Sequence, residues 1–231
     1  MRILVACEES QAVTKELRKL GHEAYSCDLQ DCSGGHPEWH IKGDVVPLLN
    51  GGVHITTCDG QTHDISEKWD MIIAHPPCTY LTNAGARHLW AGGKLNKERY
   101  KKGLAAKEFF MRFYNADCPK IAIENPVASS IYGLPKYSQI IQPYQFGHSA
   151  TKKTCLWLKG LPLLKPTNEV AKPIYRKFVQ KNGNVRSTCW EMEHHGSLSR
   201  SKTFPGIAKA MAEQWAGDNV RPVYEQVDLF G

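Results

Sequence analysis

The sequence contains no apolar run approaching the roughly 20 residues that cross a bilayer. Met1 opens directly onto a strand-like stretch, with no charged segment and apolar signal core ahead of it. Both absences point to a cytoplasmic chain with no membrane partner. Its eight cysteines include no CxxC spacing, which removes the common dithiol and zinc-ribbon patterns. Without a secretion signal they read as reduced thiols. Nothing repeats and nothing is of low complexity, so solenoids and linker-like chains are excluded. With 42% hydrophobic and 23% charged residues, the composition also excludes a disordered or coiled-coil chain. Its 231 residues suffice for one large core and not for two.

What the chain does have is an uneven charge. Residues 1–93 hold 7 Lys and Arg against 12 Asp and Glu, whereas residues 94–231 hold 22 against 11. The basic second part is suited to a polyanion. Residues 2–6, Arg-Ile-Leu-Val-Ala, read as a buried strand. Residues 9–20 carry Val13, Leu17 and Leu20 at helical spacing and stop at Gly21, and residues 23–27 form a second strand. Strand, helix and strand in so few residues make a right-handed βαβ unit. Further strands are expected at 69–73 and 121–124, with a long helix over 97–114 whose inner face takes Leu104, Phe109, Phe110 and Phe113. Residues 53–58 and 61–65 form an inserted hairpin about Asp59-Gly60. Strand candidates follow at 139–141, 154–158 and 176–180, with a hairpin turn at Asn182-Gly183. A closing helix over 205–217 carries Ile207, Met211 and Trp215 on one stripe. The fold class is α/β, a Rossmann-like, mostly parallel twisted sheet with helices on both faces. A single domain is expected, its catalytic half at 1–130 and a smaller basic half at 131–231.

The stretch most informative about chemistry is Asp70-Met-Ile-Ile-Ala-His-Pro-Pro-Cys-Thr79. A strand ends, two prolines stiffen the backbone, and a cysteine follows at the sheet edge where ligands sit in α/β folds. Cys27, Cys32, His36 and His40 are spaced too closely and evenly for a zinc finger, and no metal is expected. Cys58, Cys118, Cys155 and Cys189 are read as packing residues, and His194-His195 as part of a polar loop.

Pro76-Pro77-Cys78 resembles the Pro-Cys motif of the S-adenosylmethionine-dependent cytosine-C5 DNA methyltransferases. Glu124-Asn125-Pro126 resembles their later Glu-Asn motif, and Gly43-Asp44 their Gly-Asp turn, in the family's order over about residues 1–160. The resemblance implies a phage-like compact member that takes S-adenosylmethionine as cofactor and methylates a flipped cytosine in DNA. Cys78 is then the nucleophile at carbon 6 and Glu124 the acid at N3. Pro77, Asn125, Lys152 and Lys153 fall to the substrate, and Cys7, Glu8, Asp28, Asp44, His75 and Pro76 to the cofactor. Residues 79–96, with Tyr80, Arg87, His88 and Trp90, match the loop that closes over the base, and Lys94, Lys97, Arg99, Lys101 and Lys102 continue its basic character. The chain departs from the family where Cys7-Glu8-Glu9-Ser10 replaces a glycine-rich turn, and the roughly 50 residues over 154–203 leave little room for a recognition domain. Alternatives are a free cytosine nucleotide as substrate, an amino-group methyltransferase, and a non-catalytic nucleic-acid binder. Target sequence, DNA against RNA, the proton-abstracting base and oligomeric state are not legible.

Overall fold

The computed structural model describes residues 1–91, 93–179, 183, 185–188 and 202–217. Cys189, His194-His195 and Asn182 lie outside the described residues. In chain order the strands are β1 Arg2–Ala6, β2 Glu23–Asp28, β3 His40–Lys42, β4 Val53–Thr56, β5 Thr62–Ile65, β6 Met71–Ala74, β7 Trp90–Ala91, β8 Lys94–Leu95, β9 Ile121–Pro126, β10 Gln139–Ile141, β11 Thr154–Lys159, β12 Arg176–Val179 and β13 Val185–Thr188. The helices among the described residues are α1 Ala12–Lys19, α2 Asn83–Ala86, α3 Lys97–Tyr114 and α4 Pro205–Ala216, joined by short 3₁₀ turns.

Seven strands form the central sheet in the order β10-β11-β9-β6-β1-β2-β3. β11 alone runs against the rest, antiparallel to both β9 and β10. From β1 the chain steps outward through β2 to β3, then returns to lay β6 and β9 on the other side of β1. The strand order therefore reverses between β1 and β6, the position where open α/β sheets hold ligands.

Both faces of the sheet are covered, which is why its strands read as continuous apolar runs. Alternation splits β1: Ile3 and Val5 pack with Val13 and Leu17 of α1 and Ile207, Met211 and Trp215 of α4. Leu4 and Ala6 face the opposite layer, with Phe110 and Phe113 of α3. The hairpin β4–β5 belongs to that layer too, through buried Ile55 and Ile65, so the insertion closes the core.

Several expectations are corrected. α1 begins at Ala12, not at residue 9, because Cys7 and Gln11 both take left-handed backbone (φ 58° and 54°) and make residues 7–11 a turn. Leu20 and Leu104 are exposed rather than on inner faces, and Cys58, expected to pack, is exposed in the turn after β4. Trp69 is buried but precedes its strand. The segment 79–96 is built from α2, a 3₁₀ turn and the small β7–β8 ladder. β12 pairs antiparallel with β13, and Gln180, the last residue expected in that strand, lies outside the described residues. Among the described residues no helix is long and apolar enough to cross a membrane.

Candidate active site

Parallel strands deliver their C-terminal ends to one edge, and the residues singled out in the sequence gather there. Ala74 is paired with Ile123, so His75 and Glu124, one residue further along β6 and β9, are neighbours. His75 Nδ1 lies 3.2 Å from Glu124 Oε2, with side chains 9% and 13% exposed. The other ring nitrogen, Nε2, is buried with no partner, as is Asn125 Oδ1. The Asn125 amide donates to the Pro76 carbonyl at 2.9 Å, tying β9 to the rigid Pro76-Pro77 turn. Pro76 is buried and Pro77 exposed.

Cys78 follows this turn half-buried. Burial pushes its thiol up, the Glu124 charge pushes it further, and Lys152 pulls it back without winning. The same Lys152 acts on Glu124. Burial alone would raise that carboxyl, but the His75 hydrogen bond, Lys152 and Thr154 hold it below its ordinary value. Cys78, Glu124 and Lys152 thus share one electrostatic neighbourhood. Lys152 reaches it because β11 is reversed: its start lies where its neighbours end. Lys152 is half-buried there and Lys153 exposed, so the structure brings only the first to Glu124. A narrow cleft beside Glu124 is lined by Lys152, Thr154, Thr203, Phe204 and Ile207. Sequence reasoning missed Thr154, Thr203 and Phe204; nothing local marks them.

The cofactor candidates fall into two groups. Cys7, immediately after β1, has its thiol raised by burial and then by Asp28, with Cys27 and Asp44 contributing, so the two aspartates converge on the end of β1. Each uses one oxygen locally: Asp28 Oδ1 accepts from Gln30 N at 2.9 Å and Asp44 Oδ1 from Val46 N at 3.0 Å. Glu8, by contrast, caps a helix. It is 3% exposed, and its oxygens accept from Val13 N (2.6 Å), Thr14 N (3.3 Å) and Thr14 Oγ1 (2.7 Å), satisfying the first turn of α1, which has no cap from Gln11. Glu9 bonds Ser33 and lies 3.7 Å from Lys202. His40 spans Ser26 Oγ and the Gln30 carbonyl, both at 2.9 Å. No group of metal-ligating side chains occurs among the described residues.

No protein-family profile matches the chain, and no curated protein matches it. Solved structures similar to it include a candidate DNA modification methyltransferase encoded within an Escherichia coli prophage, at 11% identity and TM-score 0.41, over 74% of this chain and 52% of that one. A methyltransferase of Entamoeba histolytica follows at 12% and 0.43, over 74% and 57%. An rRNA methylase of Escherichia coli follows at 13% and 0.32, over 68% and 56%. The chain thus spans little more than half the length of these proteins.

Proposed function

We propose that the chain is a methyltransferase acting on carbon 5 of cytosine through a covalent Cys78 adduct, with S-adenosylmethionine as methyl donor. The observation that carries this reading is the joint placement of Cys78, Glu124 and Lys152 at the C-terminal edge of the sheet, beside its switch point.

Carbon 5 of cytosine becomes nucleophilic only when a group adds at carbon 6. In the resting site the thiol is raised and the carboxyl lowered, so the proton resides on sulfur and the carboxylate is free of one. Addition of Cys78 sulfur to carbon 6 requires that proton to leave, and the ring's new electron density requires one at N3. Glu124 lies between these needs: it accepts as the thiol ionises and donates at N3 as the S–C6 bond forms. For this addition the proton count closes with no outside acid; once carbon 5 carries the methyl group, a base takes the carbon-5 proton, the S–C6 bond breaks, and sulfur recovers the proton held at N3. Lys152 stabilises the negative charge throughout, and His75 holds Glu124 in place. Asn125 fixes the turn that carries the sulfur.

The end of β1 fits a nucleoside-bearing donor. Asp28 and Asp44 are acceptors suited to ribose hydroxyls and an adenine amino group, and the bare His75 Nε2 offers a further polar contact. Held by these residues, S-adenosylmethionine would supply an electrophilic methyl group.

The test is 5-methylcytosine formation with S-adenosylmethionine, read by mass spectrometry, together with trapping on 5-fluorodeoxycytidine DNA. The intact chain should methylate and form a stable adduct, and Cys78→Ser should do neither while remaining folded. Methylation surviving in Cys78→Ser would refute the covalent route, in favour of amino-group transfer.

A further inference from the structure

The second half of α1 presents Lys15, Arg18 and Lys19 on one face, because residues three and four apart are neighbours on a helix. Opposite them the turn before β3 carries His36 and Trp39, whose rings stack 3.8 Å apart at 9°. With His22 these side chains line an open hollow of about 460 Å³. His22 and Trp39 directly precede β2 and β3, so the hollow lies toward the edge where the parallel strands begin. Cys78 and Glu124 stand at the edge where they end, and the methyl-transfer chemistry makes no use of the hollow.

Arg18 is pinned there. Its Nε donates to the Ala24 carbonyl at 2.8 Å, and its guanidinium carbon lies 4.9 Å from the centre of the Tyr25 ring and 5.2 Å from that of Trp39. A guanidinium fixed by a carbonyl and two rings loses little freedom on gaining a ligand. The acids nearby are engaged: Glu16 with Lys19 at 2.6 Å, Glu38 with His36 at 2.9 Å, and Glu23 with Arg2 at 3.1 Å. Among the described residues Lys15 and Arg18 enter no ion pair, and Lys15 Nζ contacts the Gly34 carbonyl at 3.5 Å. Cations also complement the C-terminal end of a helix. That accounts for Lys19, but not for Arg18 held against two rings or for Lys15 a turn earlier. The carbonyls that would repel an anion are occupied: Leu17 O accepts from Leu20 N and His22 N, and Arg18 O from Gly21 N.

We propose that this hollow binds a polyphosphate group, two or more linked phosphoryl units, at a site separate from the Cys78–Glu124 crevice. Arg18 meets one phosphoryl group with its planar fork, and Lys15 and Lys19 flank it as point charges. Lys15 and Lys19 stand one helical turn apart, about 5–6 Å between Cβ atoms, a span that suits linked phosphates better than a single one. Inorganic polyphosphate and the tail of a nucleoside triphosphate share this chemistry. The His36–Trp39 stack offers an aromatic wall to the second alone.

The experiment is calorimetric titration of the full chain, without methyl donor, with tripolyphosphate, guanosine triphosphate and guanosine in separate arms. Guanine matches neither the adenine of the donor nor the cytosine of the substrate. Tripolyphosphate should saturate one site below about 1 mM, guanosine triphosphate should bind at least as tightly, and guanosine should not bind. A tighter nucleotide identifies that source, and equal affinities identify the phosphate chain alone; either supports the site. Lys15→Gln/Lys19→Gln should weaken tripolyphosphate at least tenfold. Arg18→Lys, which keeps the charge and removes the fork, should weaken it at least fivefold while the circular dichroism spectrum is unchanged. Lys165→Gln/Lys209→Gln, an equal charge loss elsewhere, should leave the affinity as it is. The proposal is overturned if neither phosphate arm saturates, if guanosine binds as tightly as its triphosphate, or if the α1 variants bind as the wild type does. It is overturned equally if Lys165→Gln/Lys209→Gln weakens binding as much as Lys15→Gln/Lys19→Gln, which would reduce the effect to general charge attraction. Polyphosphate binding is read without cytosine or methyl transfer, so its failure leaves the Cys78 chemistry standing, and absence of 5-methylcytosine leaves the hollow standing.

Discussion

Replacing Glu8 distinguishes a buried helix cap from an open ligand for the methyl donor. Glu8→Ala removes the acceptor of three donors, of which Val13 N at 2.6 Å and Thr14 Oγ1 at 2.7 Å are the close ones. Loss of a helix cap costs about 1 kcal/mol, and a hydrogen bond to a charged group contributes about 1.5–3 kcal/mol. Relief of the buried charge offsets part of this, leaving a net loss of about 2–4 kcal/mol. For a chain of this size that lowers Tm by about 4–16 °C. Glu8→Gln keeps the shape and removes the charge. Burial holds the Glu8 carboxyl above its ordinary value, although the His75 charge and the donors of Val13 and Thr14 oppose it. A carboxyl raised on folding contributes stability below its unfolded pKa of about 4.3 and loses it as pH rises through the folded value. Wild type should therefore lose stability relative to Glu8→Gln as pH rises from about 4.5 toward neutrality. Urea midpoints of both proteins at the two ends of that window provide the assay. A gap independent of pH would refute the argument. So would a Glu8→Ala variant with unchanged Tm and a raised KM for S-adenosylmethionine, because Glu8 would then serve the cofactor.

Two further substitutions probe the thiol's surroundings. Lys152→Met should slow alkylation of Cys78 by iodoacetamide at mildly alkaline pH and Glu124→Gln should accelerate it, since the first removes a charge that favours thiolate and the second one that opposes it; a shift in the same direction for both would separate the three side chains. Gly103 of α3 lies against Tyr132, and a Cβ there would stand 2.2 Å from its ring. Gly103→Ala should cost about 1–3 kcal/mol by overpacking, and an unchanged urea midpoint would show that the Tyr132 layer yields freely.

The parallel core was legible because buried strands advertise themselves: β1 and α3 coincide with the expected 2–6 and 97–114, and β2 runs one residue beyond the expected 23–27. The failures have local causes. Helical spacing at Val13 and Leu17 cannot reveal that Gln11 adopts left-handed backbone so that its side chain can bridge Ser26 and His36. Cys58 looked like a packing residue by type alone, yet its turn faces outward. Leu104 matched the period of α3 and is still exposed, because Gly103, one residue earlier, is the close contact with Tyr132.

The site shows the same division. Cys78 could be singled out because it follows the two prolines after a recognisable apolar strand, and Glu124 because it stands in the Glu-Asn pair that resembles the family motif; the parallel pairing of β6 and β9 then brings their ends to one edge. Lys152 and Lys153 were indistinguishable as sequence. They lie in the irregular segment just before β11, where Lys152 is half-buried and Lys153 exposed. Phe204 and Thr203 enter the cleft for a reason no spacing contains. α4 packs on α1 across the β1 face through Ile207, Met211 and Trp215, and its start is thereby carried to the edge where β9 ends. The closing helix thus supplies one wall of the cleft beside Glu124, which Lys152 and Thr154 line from the other side.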